Sequence, residues 1–324
     1  MVGHKTIERI DEIVSRIKTH PEYSSQVMVE ATVALYKEAA KHSYSLEVEG
    51  EIEGRRQSEQ EEKEALLQIK EGWQHLKRYG ISVSSLAPLG HLIAPKKHTA
   101  PYFRNELIQF GPFFAPDQEK VPQLVDNLVF RLGLNNIHPV IRATEAHIEL
   151  VRIHPYMDGN GRSARLVQNF YLHKEGYPAA IIPSSERELY ISLMEDTLRD
   201  RDNIRSRFEC PSKQEELLQE YFASKILSSV RRLEDELKKR RRFTVVVNKI
   251  VDRGVVKSLS GMIRSHAKAH GRGVAVQSDR TINSRKGTGF SVMGDVGIEE
   301  LREVMDRCKA KYNFSSYEVH SRTD

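Results

Sequence analysis

The stretch HPYMDGNGRSAR, residues His154–Arg165, decides how the rest of the chain is interpreted. It holds an imidazole, a carboxylate, two glycines around an asparagine, and two arginines three residues apart. A segment with helical spacing, residues 139–153, runs into it, and a second one, about Ser163–Glu175, follows it. The stretch is therefore predicted to join two helices, with its arginines on the first turn of the second one.

Glycine and arginine make this loop suited to phosphate groups. Gly159 and Gly161 allow backbone conformations that are closed to other residues, and they precede a helix N-terminus, where free N–H groups and the helix dipole favour an anion. Arg162 and Arg165 are neighbours on the helix surface, so together they can bind two phosphates of one chain. The loop thus predicts a site for a polyphosphate.

The acid and the imidazole add chemistry to that site. A carboxylate at Asp158 can hold Mg²⁺ that bridges phosphate oxygens, and His154 has the intrinsic pKa to take a proton from a hydroxyl near neutral pH. The set indicates phosphoryl or nucleotidyl transfer. Each residue taken alone is more often structural, and a zinc site built from His147 and His154, seven residues apart, would not close locally.

Together the twelve residues resemble the signature of the Fic family, HPFx[D/E]GN[G/K]RxxR, with Tyr156 in place of the phenylalanine. The resemblance covers about residues 20–210. It implies a mainly α-helical Fic core with a β-hairpin flap, and transfer of AMP from ATP to a hydroxyl side chain of a target protein. Gly161 is the residue of AMP-transferring members, whereas the kinase branch carries lysine there. Three alternatives stay open: transfer of another nucleotide, removal of AMP from the target, and a module that binds without turnover.

The resemblance also implies roles in catalysis. His154 would be the general base that deprotonates the Ser, Thr or Tyr of the target, and Asp158 would bind Mg²⁺ on the α- and β-phosphates. The anion hole would consist of the three residues of the turn: Gly159, Asn160 and Gly161. Asn160 would also help to hold the α-phosphate.

Further residues would hold the nucleotide. By the resemblance, Arg162 would contact the β-phosphate region and Arg165 the γ-phosphate. Downstream, Arg187 and Tyr190 fit the first part of the family's base-binding region. Tyr190 would either stack on the base or be an ordinary tyrosine that packs between helices, and the sequence favours neither. Residues 199–202, Arg-Asp-Arg-Asp, replace the second part, so adenine specificity is the step that the sequence supports least.

Upstream of the loop, residues 106–110 read as a short strand that Gly111 and Pro112 end, and a second strand is expected around Phe113 and Phe114. A hairpin is therefore predicted at about Glu106–Phe114. In the Fic family such a hairpin is a flap that pairs with an extended segment of the target through backbone hydrogen bonds. The flap residues expected to dock the target are Leu107, Ile108, Gln109, Phe110 and Gly111.

A second match precedes the core. Ser45–Gly50, SLEVEG, resembles the family's inhibitory motif [S/T]xxxE[G/N] and follows a predicted N-terminal helix. By that resemblance Glu49 would form a charge-assisted pair with Arg165 and keep the arginine from the γ-phosphate. The chain is therefore expected to rest in an autoinhibited state.

The composition limits the classes of protein to which the chain can belong. Hydrophobic residues make up 39% of the 324 residues, and no run approaches the roughly 18 apolar residues of a membrane span. The first residues lack the apolar stretch of a secretory signal. A cytoplasmic location without a membrane partner is expected. Two cysteines, Cys210 and Cys308, are too few for a metal cluster or a disulfide scaffold.

Charge and pattern change near Lys238. Residues 238–324 hold 19 Lys and Arg against 9 Asp and Glu, a net charge of +10, which leaves −5 for residues 1–237 out of the total of +5. The order of elements there is β-α-β-β-α-β, a split βαβ arrangement and so a small α+β domain. Four segments are expected: N-terminal helices with the inhibitory motif (1–55), the Fic core (56–212), a linking helix (213–237) and a basic α+β domain (238–324).

The partners follow from these assignments. The target hydroxyl is expected to dock on the flap, and self-modification and a homo-oligomer stay open. A basic domain can bind nucleic acid, but these strands lack the clustered aromatic residues that stack bases, so a role in protein targeting or oligomerisation is favoured.

Overall fold

The computed structural model describes residues 2–20, 26–48, 59–134, 137–203, 211–239, 242–248, 253–278, 288–294 and 296–321. The chain forms two compact units. The first, called the helical unit below, comprises Met1–Val14 and Thr32–Val230, and the second, the sheet unit, comprises Ser15–Ala31 and Arg231–Asp324. Within the described residues no helix combines the length and the apolar character needed to cross a membrane.

Helices make up most of the chain up to residue 239. Their bounds are α1 (Val2–Lys18), α2 (Gln26–Val48), α3 (Glu59–Tyr79), α4 (Val83–Leu86), α5 (Leu89–Ile93), α6 (Val121–Leu132), α7 (Pro139–Ile153), α8 (Asn160–Lys174), α9 (Arg187–Asn203) and α10 (Lys213–Lys239). The predicted mainly α-helical core is confirmed.

Helices α7 and α8 form the centre of the helical unit. α7 begins as the sequence favours, because Pro139 occupies its first turn and the His138 ring accepts a hydrogen bond from the Val140 N–H at 3.2 Å. Almost every side chain of α8 from Ser163 to Leu172 is buried. The bounds of α7 match the prediction, whereas α8 begins at Asn160, three residues before the expected start. Arg162 therefore lies on the first turn and Arg165 on the second.

Close packing holds α3 against this centre. A Cβ atom on Gly72 of α3 would lie 2.9 Å from side-chain carbons of both Ile93 and Leu166, which is too close for an ordinary contact. The missing side chain lets α3 approach α5 and α8. This approach places one face of α3 beside the loop that carries the signature.

The predicted hairpin is present, with shorter strands than expected. β1 (Gln109–Phe110) pairs antiparallel with β2 (Phe113–Phe114), so that Phe110 lies opposite Phe113. Gly111 makes the turn in a left-handed conformation, φ +51°, that favours glycine. Two residues a strand give little stability of their own, so other contacts must hold the hairpin in place.

The sheet unit confirms the predicted split βαβ order. Its elements are β3 (Arg242–Val247), α11 (Arg253–Ala269), β4 (Val274–Ser278), β5 (Thr288–Gly294), α12 (Ile298–Tyr312) and β6 (Tyr317–Ser321). The strand order is β4-β5-β3-β6, and all neighbours are antiparallel. Alternate strand residues such as Val245 and Phe290 are fully buried in one cluster with Leu259 of α11 and Leu301 of α12. One face of the sheet is therefore covered by both helices.

Candidate active site

His154 ends α7 in a left-handed conformation, φ 51° and ψ 58°. Its N–H donates to the Leu150 carbonyl at 3.0 Å, and its ring Nδ1 lies 3.1 Å from the Val151 carbonyl. Because a carbonyl oxygen only accepts, Nδ1 carries the proton in this contact. The lone pair of a neutral ring is then on Nε2, which is the atom that can take a proton from a substrate.

Arg104 fixes the backbone at this histidine. Its buried guanidinium donates to three carbonyls, those of His154 at 2.7 Å, Glu106 at 2.6 Å and Pro116 at 2.5 Å. Glu106 and Pro116 flank the hairpin, so one side chain ties both ends of the hairpin to the end of α7. Sequence reasoning missed Arg104, because its partners are up to 50 residues away and no local pattern marks a buried arginine.

The hairpin also contacts the imidazole itself. The ring of Phe110 stacks on His154 with centroids 4.1 Å apart and planes at 11°. Burial is the main cause that lowers the pKa of His154 to about 4, and the charge of Arg104 lowers it further, against the raising effects of the Val151 carbonyl, Glu47 and Asp158. The ring is therefore neutral at pH 7.

Asn160 closes the loop after α7. Its Oδ1 accepts from the Tyr156 N–H at 2.9 Å, and its Nδ2 donates to the Tyr156 carbonyl at 2.8 Å. The Tyr156 hydroxyl donates to the Leu86 carbonyl at 2.7 Å, so the tyrosine that replaces phenylalanine satisfies its extra polar group. Asn160 was expected to help hold a phosphate, but here both ends of its amide bind backbone.

The turn itself needs glycine at one position. Gly159 adopts φ +81° just before α8, and a Cβ atom there would lie 3.2 Å from carbons of Ile93 and Ala94. Its N–H donates to Asp158 Oδ1 at 2.5 Å. The same carboxylate lies 3.3 Å from Lys97 Nζ and 3.6 Å from Arg162 Nη2. The loop thus places an acid, two cations and a helix N-terminus within a few ångströms of one another.

The predicted metal ligand fits Mg²⁺ as a partner of substrate phosphates. About a quarter of the Asp158 side chain is exposed, with Oδ1 on the Gly159 N–H and Oδ2 beside Lys97. Among the described residues no group of three or more metal-binding side chains occurs. Mg²⁺ commonly binds one or two carboxylates together with phosphates and waters, and Asp158 supplies one such carboxylate.

Arg165 is buried, and its donors are already used by protein groups. Nε donates to Ser43 Oγ at 2.8 Å and Nη2 donates to the Ser43 carbonyl at 3.0 Å. Nη2 also pairs with Glu47 Oε1 at 2.5 Å, and Nη1 contacts the Tyr190 hydroxyl at 3.4 Å. Helices α2 and α9 therefore both hold this arginine, whereas Arg162 donates to the Ile93 carbonyl at 3.0 Å.

Glu47 is the acid that the structure places at the signature. Its carboxylate lies so close to Gly161 that a Cβ atom there would overlap with it. Glu49, the acid expected to pair with Arg165, lies outside the described residues. The sequence does contain a signal for Glu47, because Ser43–Glu47 repeats the spacing S-x-x-x-E of the motif two residues earlier and lacks only the following glycine or asparagine.

Tyr190 is buried behind Arg165, although a stacking role on the base was expected for it. Its hydroxyl lies 2.9 Å from His147 Nε2, and His147 Nδ1 lies 2.8 Å from Gln168 Oε1. If Nδ1 donates to the amide oxygen, Nε2 accepts from Tyr190, and the tyrosine oxygen accepts from Arg165. Burial, and then the charge of Arg165, lower the pKa of His147 to about 3, so this ring stays neutral.

The expected docking residues of the hairpin differ in exposure. Leu107, Gln109 and Gly111 are exposed, and Leu107 keeps 59% of its surface. Ile108 and Phe110 are partly buried, Phe110 because of its stacking on His154. The hairpin thus offers exposed positions next to the imidazole and uses Phe110 to cover it.

Known proteins are similar to this chain in the region that carries the site. Residues 89–172 match the model of the Fic/DOC family. Relatives named Protein adenylyltransferase Fic are 42% identical over 91 residues in Drosophila mojavensis and 39% identical over 93 residues in Drosophila melanogaster. Each alignment covers 27% of this chain and 18% of the relative, so the chain matches less than a fifth of the length of these relatives.

Solved Fic structures show a similar fold over more of the chain. Fic-1 from C. elegans has a TM-score of 0.57 at 18% identity and covers 73% of both chains. A Fic domain containing signaling protein from Bacteroides thetaiotaomicron has a TM-score of 0.56 at 20% identity and covers 71% of this chain and 97% of its own. A Fic family protein from Desulfovibrio desulfuricans covers 96% of this chain and 86% of its own with a TM-score of 0.50 at 16% identity. At these identities the likeness concerns the fold alone.

Proposed function

We propose that the chain transfers AMP from ATP to a hydroxyl side chain of a target protein. The observation that carries this proposal is the state of His154, a neutral imidazole whose Nδ1 is bound to the Val151 carbonyl and whose Nε2 is the basic atom. It lies at the mouth of α8, whose N-terminus, with Arg162 and Arg165, suits a polyphosphate. A binding-only module has no need for such a base.

In this reaction the hydroxyl oxygen of a Ser, Thr or Tyr attacks the α-phosphorus of ATP. Nε2 of His154 takes the hydroxyl proton as the new oxygen–phosphorus bond forms, and the bond to the β-phosphate oxygen breaks, so that pyrophosphate leaves. Arg162 would neutralise charge on the leaving group. Asp158 would hold Mg²⁺, and the ion would supply further positive charge to the reaction. The protein's own contribution is mainly position and charge, as for phosphoryl transfer in general.

The target would dock on the hairpin β1–β2. Its exposed residues adjoin His154, and an extended segment that pairs with a strand edge places a side chain at a fixed distance from that edge. Tyr190 would help to hold Arg165, because its hydroxyl contacts the guanidinium and its ring packs on His147 and Phe222. Other residues would then bind the adenine.

The resting enzyme would be autoinhibited by Glu47. Its carboxylate binds Arg165 and occupies the space in front of Gly161, where a phosphate is expected. A charge-assisted hydrogen bond contributes roughly 1.5–3 kcal/mol, so its loss should raise activity roughly ten- to a hundredfold.

The test compares four forms of the chain with ATP and Mg²⁺: the parent, Glu47→Gly, Glu49→Gly and the double variant Glu47→Gly with His154→Ala. Intact mass spectrometry measures the mass of one AMP added to the chain itself or to a target mixture. Glu47→Gly should modify faster than the parent, Glu49→Gly should match it, and Glu47→Gly combined with His154→Ala should be inactive. Activity that survives the loss of His154 would remove the proposed base, and activation by Glu49→Gly alone would move the inhibitory role to Glu49.

A further inference from the structure

A groove of about 730 Å³ lies between α2 and α3, with α8 as its floor. Its volume is in the range of small-molecule sites, roughly 300–1,000 Å³. The rings of Tyr36 and Trp73, 5.0 Å apart, connect the two walls, and Lys41 of α2 pairs with Glu62 of α3 at 3.5 Å. The groove is therefore an opening between two helices whose positions are fixed by contacts.

The walls of the groove are mainly apolar. Val33 and Ala40 of α2 face it from one side, and Leu66, Leu67 and Trp73 of α3 face it from the other. Val33 is 44% exposed and Leu67 is 58% exposed, although both are large aliphatic residues. An apolar ligand between the walls would cover both side chains and gain free energy from doing so.

The charged groups of the groove all have the same sign. Among the residues that the structure describes, four lysines and two arginines line it, and no aspartate or glutamate does. This segregation is informative because α3 carries five glutamates, none of which lines the groove. Lys63, Lys70 and Lys77 are seven residues apart, so they follow one edge of α3 at intervals of about 10 Å. The groove thus has apolar walls and a cationic edge.

Such a surface complements a molecule with a long apolar body and an anionic head. The other class with this chemistry is an acidic amphipathic helix. A helix is about 10 Å in diameter. The two walls are joined by the rings of Tyr36 and Trp73 at 5.0 Å and by Lys41 and Glu62 at 3.5 Å, a spacing that suits a single chain of methylene groups. We propose that the groove between α2 and α3 binds an acyl anion, with its chain between the walls and its head at the lysine edge.

Binding can be measured on the full chain without turnover, so its outcome is separate from that of the proposed AMP transfer. The probe is dansylaminoundecanoic acid, whose fluorescence reports transfer to an apolar site. Hexadecanoate should displace it at one site per chain, and each pair of methylene groups removed from the competitor should weaken binding by about tenfold. Hexadecanol should compete less well than hexadecanoate. Palmitoyl coenzyme A and lysophosphatidate distinguish phosphate heads from a carboxylate head.

Two variants on α3 locate the site. Leu67→Glu places a negative charge in the groove at an exposed position and should weaken probe binding by about tenfold. Gln74→Glu adds the same charge on α3 at an exposed position outside the groove and should bind as the parent does. Thermal unfolding of both variants checks that the fold is kept.

The proposal is overturned if no saturable probe binding occurs, if the two variants bind alike, or if hexadecanol equals hexadecanoate. It is also overturned if a leucine- and glutamate-rich helical peptide displaces the probe while hexadecanoate does not, because the groove would then belong to a partner helix.

Discussion

At the residue scale, three contacts determine the state of His154. The Val151 carbonyl holds Nδ1, Phe110 stacks on the ring, and Arg104 binds the backbone carbonyl. A base held in this way needs no reorganisation before the proton transfer. Arg104 binds the backbone carbonyl of His154 and not its ring, so it is a positioning residue.

Arg104→Lys tests that positioning. Lysine keeps the positive charge but loses the planar fork that reaches three carbonyls, so kcat should fall by about tenfold while KM for ATP changes little. Arg152→Lys is the matched control, because Arg152 lies at the same end of α7 and its guanidinium binds the Glu149 side chain. The measurement is steady-state AMP transfer in the Glu47→Gly background. Equal kcat values in the two variants would contradict the role of Arg104.

The pH profile tests the low pKa of His154. A group with a pKa of about 4 loses its basic form only as the pH falls through that value. Removing Glu47 lowers this pKa further, because its negative charge raises it. In Glu47→Gly, kcat/KM should therefore show no inflection from this group between about pH 5.5 and 8, whereas an ordinary histidine would give one near 6.5. An inflection near 6.5 that His154→Ala removes would show that the base is an ordinary imidazole.

The signature predicted which residues meet at the site, and it did so because its twelve positions are neighbours in the chain. Gly159, Arg162 and Arg165 follow from local geometry, since a glycine turn and a helix face depend on nearby residues alone. Arg104 and His147 could not be predicted in this way. Their roles come from contacts across 43 to 50 residues, and a single sequence does not show which distant groups share a buried site.

At the element scale, the last two turns of α2 carry the groups that bind Arg165, and the proposed inhibition rests on them. Ser43 and Glu47 are four residues apart and so lie on one face, where both bind Arg165. Ser45 belongs to another face and donates to the Lys41 carbonyl at 3.3 Å. The spacing S-x-x-x-E occurs twice in overlapping form here. The proposed role of Glu47 and the predicted role of Glu49 therefore differ by a register of two residues.

Ser43→Ala and Ser45→Ala distinguish the two registers. Loss of the Ser43 hydroxyl removes one hydrogen bond to Arg165, about 1 kcal/mol, so AMP transfer should rise about fivefold, less than in Glu47→Gly. Ser45→Ala should behave as the parent does. The readout is the initial rate of AMP addition by mass spectrometry. If Ser45→Ala raised the rate of AMP addition more than Ser43→Ala, the later register and Glu49 would be favoured.

At the scale of the whole helical unit, a buried ion network joins α6, α7, α9 and α10. Arg201 binds Glu145, Glu149 and Glu215, and Glu149 also pairs with Arg152 and Arg131. Burial alone would raise the pKa of Glu149, but Arg152, Arg201 and Arg131 outweigh it and hold the pKa at about 2. The sequence showed only that residues 199–202 depart from the family pattern, and the structure gives Arg201 this connecting role.

Arg201→Met should destabilise the helical unit by about 3 kcal/mol, because it leaves buried carboxylates short of a partner. Arg199→Met is the control on the same helix, since Arg199 is 53% exposed and pairs only at the surface. The unfolding midpoint in urea measures both. A variant of Arg201 that unfolds at the parent's midpoint would show that the network adds no stability.

The same network should make the free energy of unfolding depend on pH. The folded pKa of Glu149 lies below its ordinary value of 4.5, so its contribution is present above about pH 4.5 and is lost as the pH falls towards 2. The parent should lose more stability over this interval than Arg201→Met does. Parallel losses in the two proteins would assign the acid sensitivity to other groups.

The missing side chain at Gly161 has a consequence for how this chain can change over generations. The bare backbone there leaves room for the Glu47 carboxylate, and the proposed function places a phosphate of the nucleotide in the same space. A bulkier residue at position 161 would displace the Glu47 carboxylate, but its side chain would also clash with the nucleotide. Related chains that lose the proposed inhibition by Glu47 but keep the proposed AMP transfer are therefore expected to vary at Ser43 or Glu47 and to retain glycine at position 161.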